Sequence, residues 1–419
     1  MVVPLLAEGF GRGLTNIPHL ASVVKVVLFV GVIYLLKTYF GGATCKSERD
    51  MHGKVVMITG GTSGIGAKIT KELATRGAQI ILLTHHETSD PFLVDYIEDL
   101  RTQCGSELIY SEQVDLSSLQ SIRLFATKWV DNAPPRRLDT IILCANVATP
   151  KYGKSRITID GVEEEWMVNY LSTYHLLSIL SPAIRAQPPD RDVRILFSTC
   201  SSYIGGTLDL NNTEKAAKSG GWSHSRTKLA VMSFAYAFQK HLDSYSRPDK
   251  QPNNARALIV DPGYSRTPGM RRWLTGGSLI GLALYLLTWP LWWLILKSPD
   301  QGTQSYLFAA MDVAYGLGPG GKFIKECREI EPLRPEAKNE EIAKTLWEYS
   351  EKQIERLEKQ GAVRRALEKK EAEEGGKQGR ANTNTKNANS GSAETANGNT
   401  STSEKQQATG SRRNRKQKG

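Results

Sequence analysis

Gly60-Gly61-Thr62-Ser63-Gly64-Ile65-Gly66 combines residue types and a spacing, G-x-x-x-G-x-G, that suit one task. Side chains at those glycines would hold a pyrophosphate away from the backbone. The segment follows an apolar run, Lys54–Thr59, and opens a helical pattern over Ile65–Arg76 that Gly77 ends. A helix starting there offers free N–H groups and positive potential to an anion. After the first strand of a β-α-β unit, such a loop points to a dinucleotide. The cysteines (Cys45, Cys104, Cys144, Cys200 and Cys327) are scattered and form no C-x-x-C pair. That argues against a disulfide framework and against structural zinc, so no metal site is expected.

A phosphate loop needs a sheet beneath it. Gln79–Leu83, Leu108–Val114, Thr140–Leu143, Val193–Phe197 and Arg256–Val260 are further short β-rich runs, separated by helical stretches. In one of these, Asp90 caps a helix with Pro91 in its first turn, and Gly105 closes it. The alternation predicts an α/β fold, a doubly wound parallel sheet of the Rossmann type with helices on both faces. It is expected as a single domain over 51–338. A charged helix over 339–374 should follow it.

Thr59-Gly60-Gly61-Thr62-Ser63-Gly64-Ile65-Gly66 matches T-G-x-x-x-G-I-G, and here the chain resembles the short-chain dehydrogenase/reductase family. The likeness runs from Lys54 to Gln353 and is strongest to the membrane-associated retinol dehydrogenase-like branch. It implies a nicotinamide cofactor held by Gly60, Thr62, Ser63, Gly64, Ile65 and Gly66. It also implies Asp115 of Val114-Asp115-Leu116 on the adenine side, and Pro262, Gly263 and Thr267 of a loop closing on the nicotinamide. Ala145 belongs to Leu143-Cys144-Ala145-Asn146, an altered form of the family's N-N-A-G turn. Thr84-His85-His86 ends the second strand where NAD binders commonly carry an acid. With His85 there instead, NADP(H) is favoured over NAD(H), modestly, because His is a weak and pH-dependent cation.

The catalytic pattern of the resemblance is broken. The family uses Ser, Tyr and Lys, with Tyr and Lys stacked on one helix face as Y-x-x-x-K. Ser223-His224-Ser225-Arg226-Thr227-Lys228 aligns with that helix. Lys228 is in place, His224 stands for the Tyr, and Cys200 for the Ser, with Ser201 one step away. Asn169 in Val168-Asn169-Tyr170 matches the active-site Asn. A rival spacing, Tyr236 and Lys240, lies 12 residues on, about 18 Å along a helix. Two readings stay open. Either His224 is a substitute acid acting through a bridging water, its reach being about 2 Å shorter than a phenol's, or the site binds cofactor and does little carbonyl chemistry.

The expected substrate is a lipophilic alcohol or ketone that is retinoid-, steroid- or polyprenol-like. Residues 20–36 are apolar except Ser22 and Lys25, and read as a membrane anchor after an N-terminal segment 1–19. Arg12 precedes the run, while Lys37, Lys46, Arg49 and Lys54 follow it, which puts the main domain in the cytosol. The endoplasmic reticulum or a lipid droplet is the expected membrane, with the mitochondrial membrane as alternative. Residues 276–296 are uncharged and include Trp289, Pro290, Trp292 and Trp293, which suits a helix lying at the interface or a lid. Residues 375–419 hold nine Lys/Arg and two Glu, so +7 of the net +11 lies in a segment with no Val, Ile, Leu, Met or aromatic residue. That tail should be disordered. Nucleic acid is therefore not the expected partner of the folded part; a tail-borne RNA tether has only Arg412–Lys418 in its favour. Membrane lipid and a homodimer are the other expected partners.

Overall fold

The computed structural model describes residues 20–150, 153, 155–208, 210 and 221–390. The basic cluster at 412–418 and the expected N-terminal segment 1–19 lie outside them.

Eight strands form one sheet in the order β3-β2-β1-β4-β5-β6-β7-β8. They are β1 Val55–Thr59, β2 Gln79–Thr84, β3 Ile109–Gln113, β4 Thr140–Leu143, β5 Val193–Ser198, β6 Ala255–Asp261, β7 Lys322–Lys325 and β8 Arg328–Ile330. The first seven pair in parallel. β8 returns antiparallel to β7 through Glu326 and Cys327, both at positive φ. The expected sheet is present; β8 is an addition, too short and polar to carry a strand pattern.

The sheet is buried on both faces, and the two-residue period sorts its side chains. Val55, Met57, Ile141, Ile195 and Phe197 enter one core layer, while Val56, Ile58, Ile142 and Leu196 enter the other. Helix Pro91–Cys104 starts as its sequence foretells. The Asp90 carboxylate accepts from Phe92 N at 2.9 Å, and Gly105 ends the helix in the left-handed region at φ 63°.

Helix Glu340–Ser390 covers the expected charged stretch and continues past Gly375. Its first part packs on the first core layer through Leu346, Ile354 and Leu357. Tyr170 and Ser350 hydroxyls meet at 2.6 Å, Trp166 Nε1 donates to Gln353 at 3.1 Å, and Arg123 pairs with Glu358 through two hydrogen bonds. These contacts lie within one compact unit ending at Gly361; the helix from Ala362 to Ser390 belongs to a second.

Two carboxyls sit under the loop after β4. Glu165 is fully buried and accepts from Thr149 N; Glu163 accepts from Ser223 Oγ at 2.7 Å and Ser155 Oγ at 3.1 Å. The second oxygen of each lacks a protein partner. Burial pushes the Glu165 carboxyl up to about 7.

Two outcomes follow for stability. Leu346 is 1% exposed, so Leu346→Ala should cost about 2–5 kcal/mol in denaturant unfolding. Glu165 keeps its proton to higher pH in the folded chain than in the unfolded one, so the native state binds more protons and loses stability as pH rises from 4.5 towards about 7. The loss is at most about 1.4 kcal/mol per pH unit. Thermal unfolding between pH 5 and 8 should show this slope, and Glu165→Gln should flatten it.

Candidate active site

A cavity of about 750 Å³ opens at the C-terminal ends of the strands, from the glycine loop to Lys228. This is where an open parallel sheet binds ligands, at the β1/β4 switch in strand order. A nicotinamide dinucleotide fits the residues present. A Cβ on Gly66 would lie 2.1 Å from the Gly60 carbonyl oxygen, and one on Gly60 2.7 Å from Ala145 Cα. Only glycine lets this loop close. Ser63, at the start of helix Gly64–Thr75, makes no side-chain cap, so the helix presents its first amides to the cavity.

The structure gathers every residue expected at the cofactor. Gly60, Thr62, Ser63, Gly64, Ile65, Gly66, His85, Asp115, Ala145, Pro262, Gly263, Thr267 and Lys228 all line the cavity. Asp115 is held by its own turn, its Oδ1 accepting from Ser117 N at 2.8 Å and Ser117 Oγ at 2.7 Å. Ala145 N donates to Thr59 Oγ1 at 3.2 Å, which ties β4's exit to β1. His86 Nδ1 lies 2.8 Å from the Asp90 carboxylate, and its ring packs against His85 at a 35° tilt with centroids 4.1 Å apart. His85 is thereby the member of the pair that faces the cavity.

The reactive end is built by β5 and helix Gly221–Asp243. Lys228 is 3% exposed, and its Nζ donates to Ser198 O at 3.2 Å. Burial lowers the Lys228 pKa. His224, one turn earlier on the same face, is pushed down to about 3 by burial and then by the Lys228 charge, so its imidazole is neutral near neutral pH. Its Nε2 lies 3.6 Å from Cys200 Sγ, which also lies 2.8 Å from Ser202 Oγ. Its Nδ1 is buried with no hydrogen-bond partner, and the ring lies near the Val147 backbone.

Two expected residues stand elsewhere. Ser201 is not in the cavity wall; its hydroxyl donates to Asp261 Oδ2 at 2.9 Å and accepts from Lys325 Nζ at 2.7 Å. Ser202 takes the place beside Cys200. Asn169 is buried in the π-helical turn Met167–Leu171 and grips the Val147 peptide from both sides, accepting from Val147 N at 2.7 Å and donating to Val147 O at 2.8 Å. It positions the loop that His224 faces. The rival pair lies apart: Lys240 pairs with Glu340, and Lys338 sits over the Tyr236 ring.

Tyr306 was not foreseen. It comes from helix Pro299–Met311 on the other face of the sheet, is fully buried, and donates to Ser198 Oγ at 2.6 Å inside the cavity. The neighbouring Cys144 thiol is pushed up to about 11 by burial. The capping box Ser298–Gln301 fixes the start of that helix and is a signal from which the phase of Tyr306 could have been read.

A short chain dehydrogenase family model matches residues 54–199. The chain is 42% identical to the uncharacterized oxidoreductase pbr1 of Schizosaccharomyces pombe, over 82% of this chain and 93% of that one. It is 29% identical to retinol dehydrogenase 13 of Mus musculus, over 78% of this chain and 91% of that one. A crystal structure of an uncharacterized protein from Mycobacterium paratuberculosis shares the fold, with a TM-score of 0.53 at 22% identity, covering 75% of this chain and 98% of that one. With a glycine loop of dinucleotide-binding spacing at the head of the cavity and a relative 42% identical along nearly its whole length, the chain belongs to the short-chain dehydrogenase/reductase family and is an oxidoreductase.

Proposed function

We propose that the protein is a membrane-bound, NADP(H)-linked oxidoreductase for a lipophilic alcohol or carbonyl compound. One observation carries this reading: the cavity wall leads directly into an exposed apolar surface. Met270 and Trp273 of helix Pro268–Leu274 line the cavity. The chain then continues into helices Leu279–Leu287 and Trp289–Ile295, which bury none of their residues. Leu279 is 85% exposed and Leu287 79%. Apolar side chains so displayed suit a lipid interface, with the break at Thr288-Trp289-Pro290 making two short helices instead of one span. A substrate dissolved in lipid would meet the cavity without crossing water.

The N-terminal helix Leu20–Gly41 supports the same placement. Its segment Ser22–Gly41 is, among the described residues, the one helix long and apolar enough to cross a membrane. Lys37 Nζ donates to Trp293 O at 2.6 Å and lies over the Trp293 ring, joining that helix to the apolar pair. An endoplasmic reticulum or lipid-droplet surface, with the domain facing the cytosol, fits the charge flanks.

A nicotinamide dinucleotide held at this site would supply or take a hydride. Lys228 supports the ribose end of the site, Asn169 holds the Val147 loop, and neutral His224 offers one ring proton or one lone pair. His85, with no carboxylate at β2's end, favours a 2′-phosphate.

Purified protein in detergent should oxidise NADPH with long-chain carbonyl compounds and lose that turnover in Lys228→Ala. NADPH binding with no turnover on any of them overturns the proposal. His85→Asp should shift the NADPH/NADH preference toward NADH by roughly tenfold in dissociation constants. Leu284→Asp with Leu287→Asp should raise KM for a long-chain substrate in vesicles by about tenfold and leave a short, water-soluble one unchanged.

A further inference from the structure

The two departures from the family's catalytic pattern are one feature in space. Cys200 stands where the family has Ser and His224 where it has Tyr, and the structure brings the new pair into contact at 3.6 Å. Both line the cavity, at the same end as Lys228. A hydroxyl and a phenol at these positions donate hydrogen bonds to a carbonyl oxygen. A thiol beside a neutral imidazole can do something else, which is to attack the carbonyl carbon. The imidazole is uncharged, so Nε2, 3.6 Å from Sγ, can pass on the thiol hydrogen in the tautomer that leaves its lone pair free. Asn169 fixes the nearby Val147 backbone through two hydrogen bonds. The buried Lys228 ammonium lies close enough for its charge to interact with a sulfur anion. The other cavity thiol, Cys144, is a poorer candidate. It sits beneath Tyr306, and burial disfavours its anion.

We propose that Cys200 is a carbonyl-capturing nucleophile, that neutral His224 relays its proton to the carbonyl oxygen without holding it, and that the substrate class of this site is the lipophilic aldehyde. The proposal rests on the lipophilic-carbonyl reading above and narrows it. In the capture step the S–C bond forms as the C=O π bond opens. The proton leaving Sγ passes through His224 Nε2 to the former carbonyl oxygen, giving a hemithioacetal. Nothing is oxidised or reduced, so capture needs no cofactor and reverses by the same path. Ketones are strongly disfavoured: a second carbon substituent crowds the tetrahedral adduct and makes the carbonyl a weaker electrophile.

The test uses the full chain in detergent micelles without cofactor, labelled with iodoacetamide and mapped by peptide mass. Cys200 should label roughly tenfold faster than Cys144 and Cys327, whose thiols burial holds at about 11 and about 12. A long-chain aldehyde should protect Cys200, and the ketone of equal length should not. His224→Ala should slow Cys200 labelling about tenfold and leave Cys144 unchanged. The proposal is overturned if Cys200 labels no faster than Cys144, or if aldehyde and ketone protect equally, which is occlusion alone. It is also overturned if borohydride fixes the aldehyde on Lys228, which is imine formation. NADPH titration of the same samples separates the two claims. Binding without aldehyde protection sinks capture and spares the cofactor reading. Protection without binding does the reverse. Retained NADPH binding by Cys200→Ser shows that loss of the label is not loss of the fold.

Discussion

A buried ammonium governs this site. Lys228 carries its amine to the dry end of the cavity and rests it on the Ser198 carbonyl. Desolvation already works against that charge, so a second cation one turn away on the same helix face would be costly. His224 occupies that position and is neutral for this reason as well as from its own burial. The family's Tyr in this place is tuned by its Lys toward giving up a proton. A His in the same field is tuned toward holding no extra proton. The change of residue therefore alters the kind of chemistry available and not only its strength.

The peptide at Val147 is the second fixed point. Asn169 sits in a π-helical turn, where one extra residue in the ladder points its amide across at the loop following β4. An amide that meets both the N–H and the C=O of one residue fixes the two peptide planes that flank it. His224 lies near this backbone, with its Nε2 3.6 Å from Cys200 Sγ. Beneath the loop, Thr149 N is satisfied by a carboxyl at Glu165. The loop that had lost the family's N-N-A-G pattern is thus held by side chains from below and behind.

The fold and the cofactor end were legible in the sequence because each rests on local chemistry. Apolar runs of strand length, a glycine spacing and the Asp90-Pro91 helix start depend on neighbours in the chain. The catalytic end was legible in part. Cys200, His224 and Lys228 were found by alignment to a family pattern, but their contact was not, since it joins residues 24 apart in sequence. Ser201 was misplaced because a 3-10 turn over Ser201–Gly205 sends successive side chains in different directions. Ser201 goes to Asp261 and Lys325, and Ser202 goes to Cys200. Tyr306 escaped notice because it crosses from the opposite layer, 108 residues from its partner Ser198. No periodicity reports a contact of that kind.

The apolar helices and the cofactor loop are mechanically connected. Where the N-terminal helix ends, Ala43 N donates to Glu326 Oε2 at 3.0 Å. Glu326 pairs with Lys297, and Lys297 N donates to Tyr264 O at 2.9 Å while Arg266 N donates back to Lys297 O at 2.9 Å. Gly263 lies against the Lys297 stem, where an added Cβ would meet Lys297 Cε at 3.2 Å. The Pro262-Gly263 loop is therefore laced to the end of helix Trp289–Ile295 and, through Glu326, to the exit of helix Leu20–Gly41. A loop so held cannot move far without moving one of them.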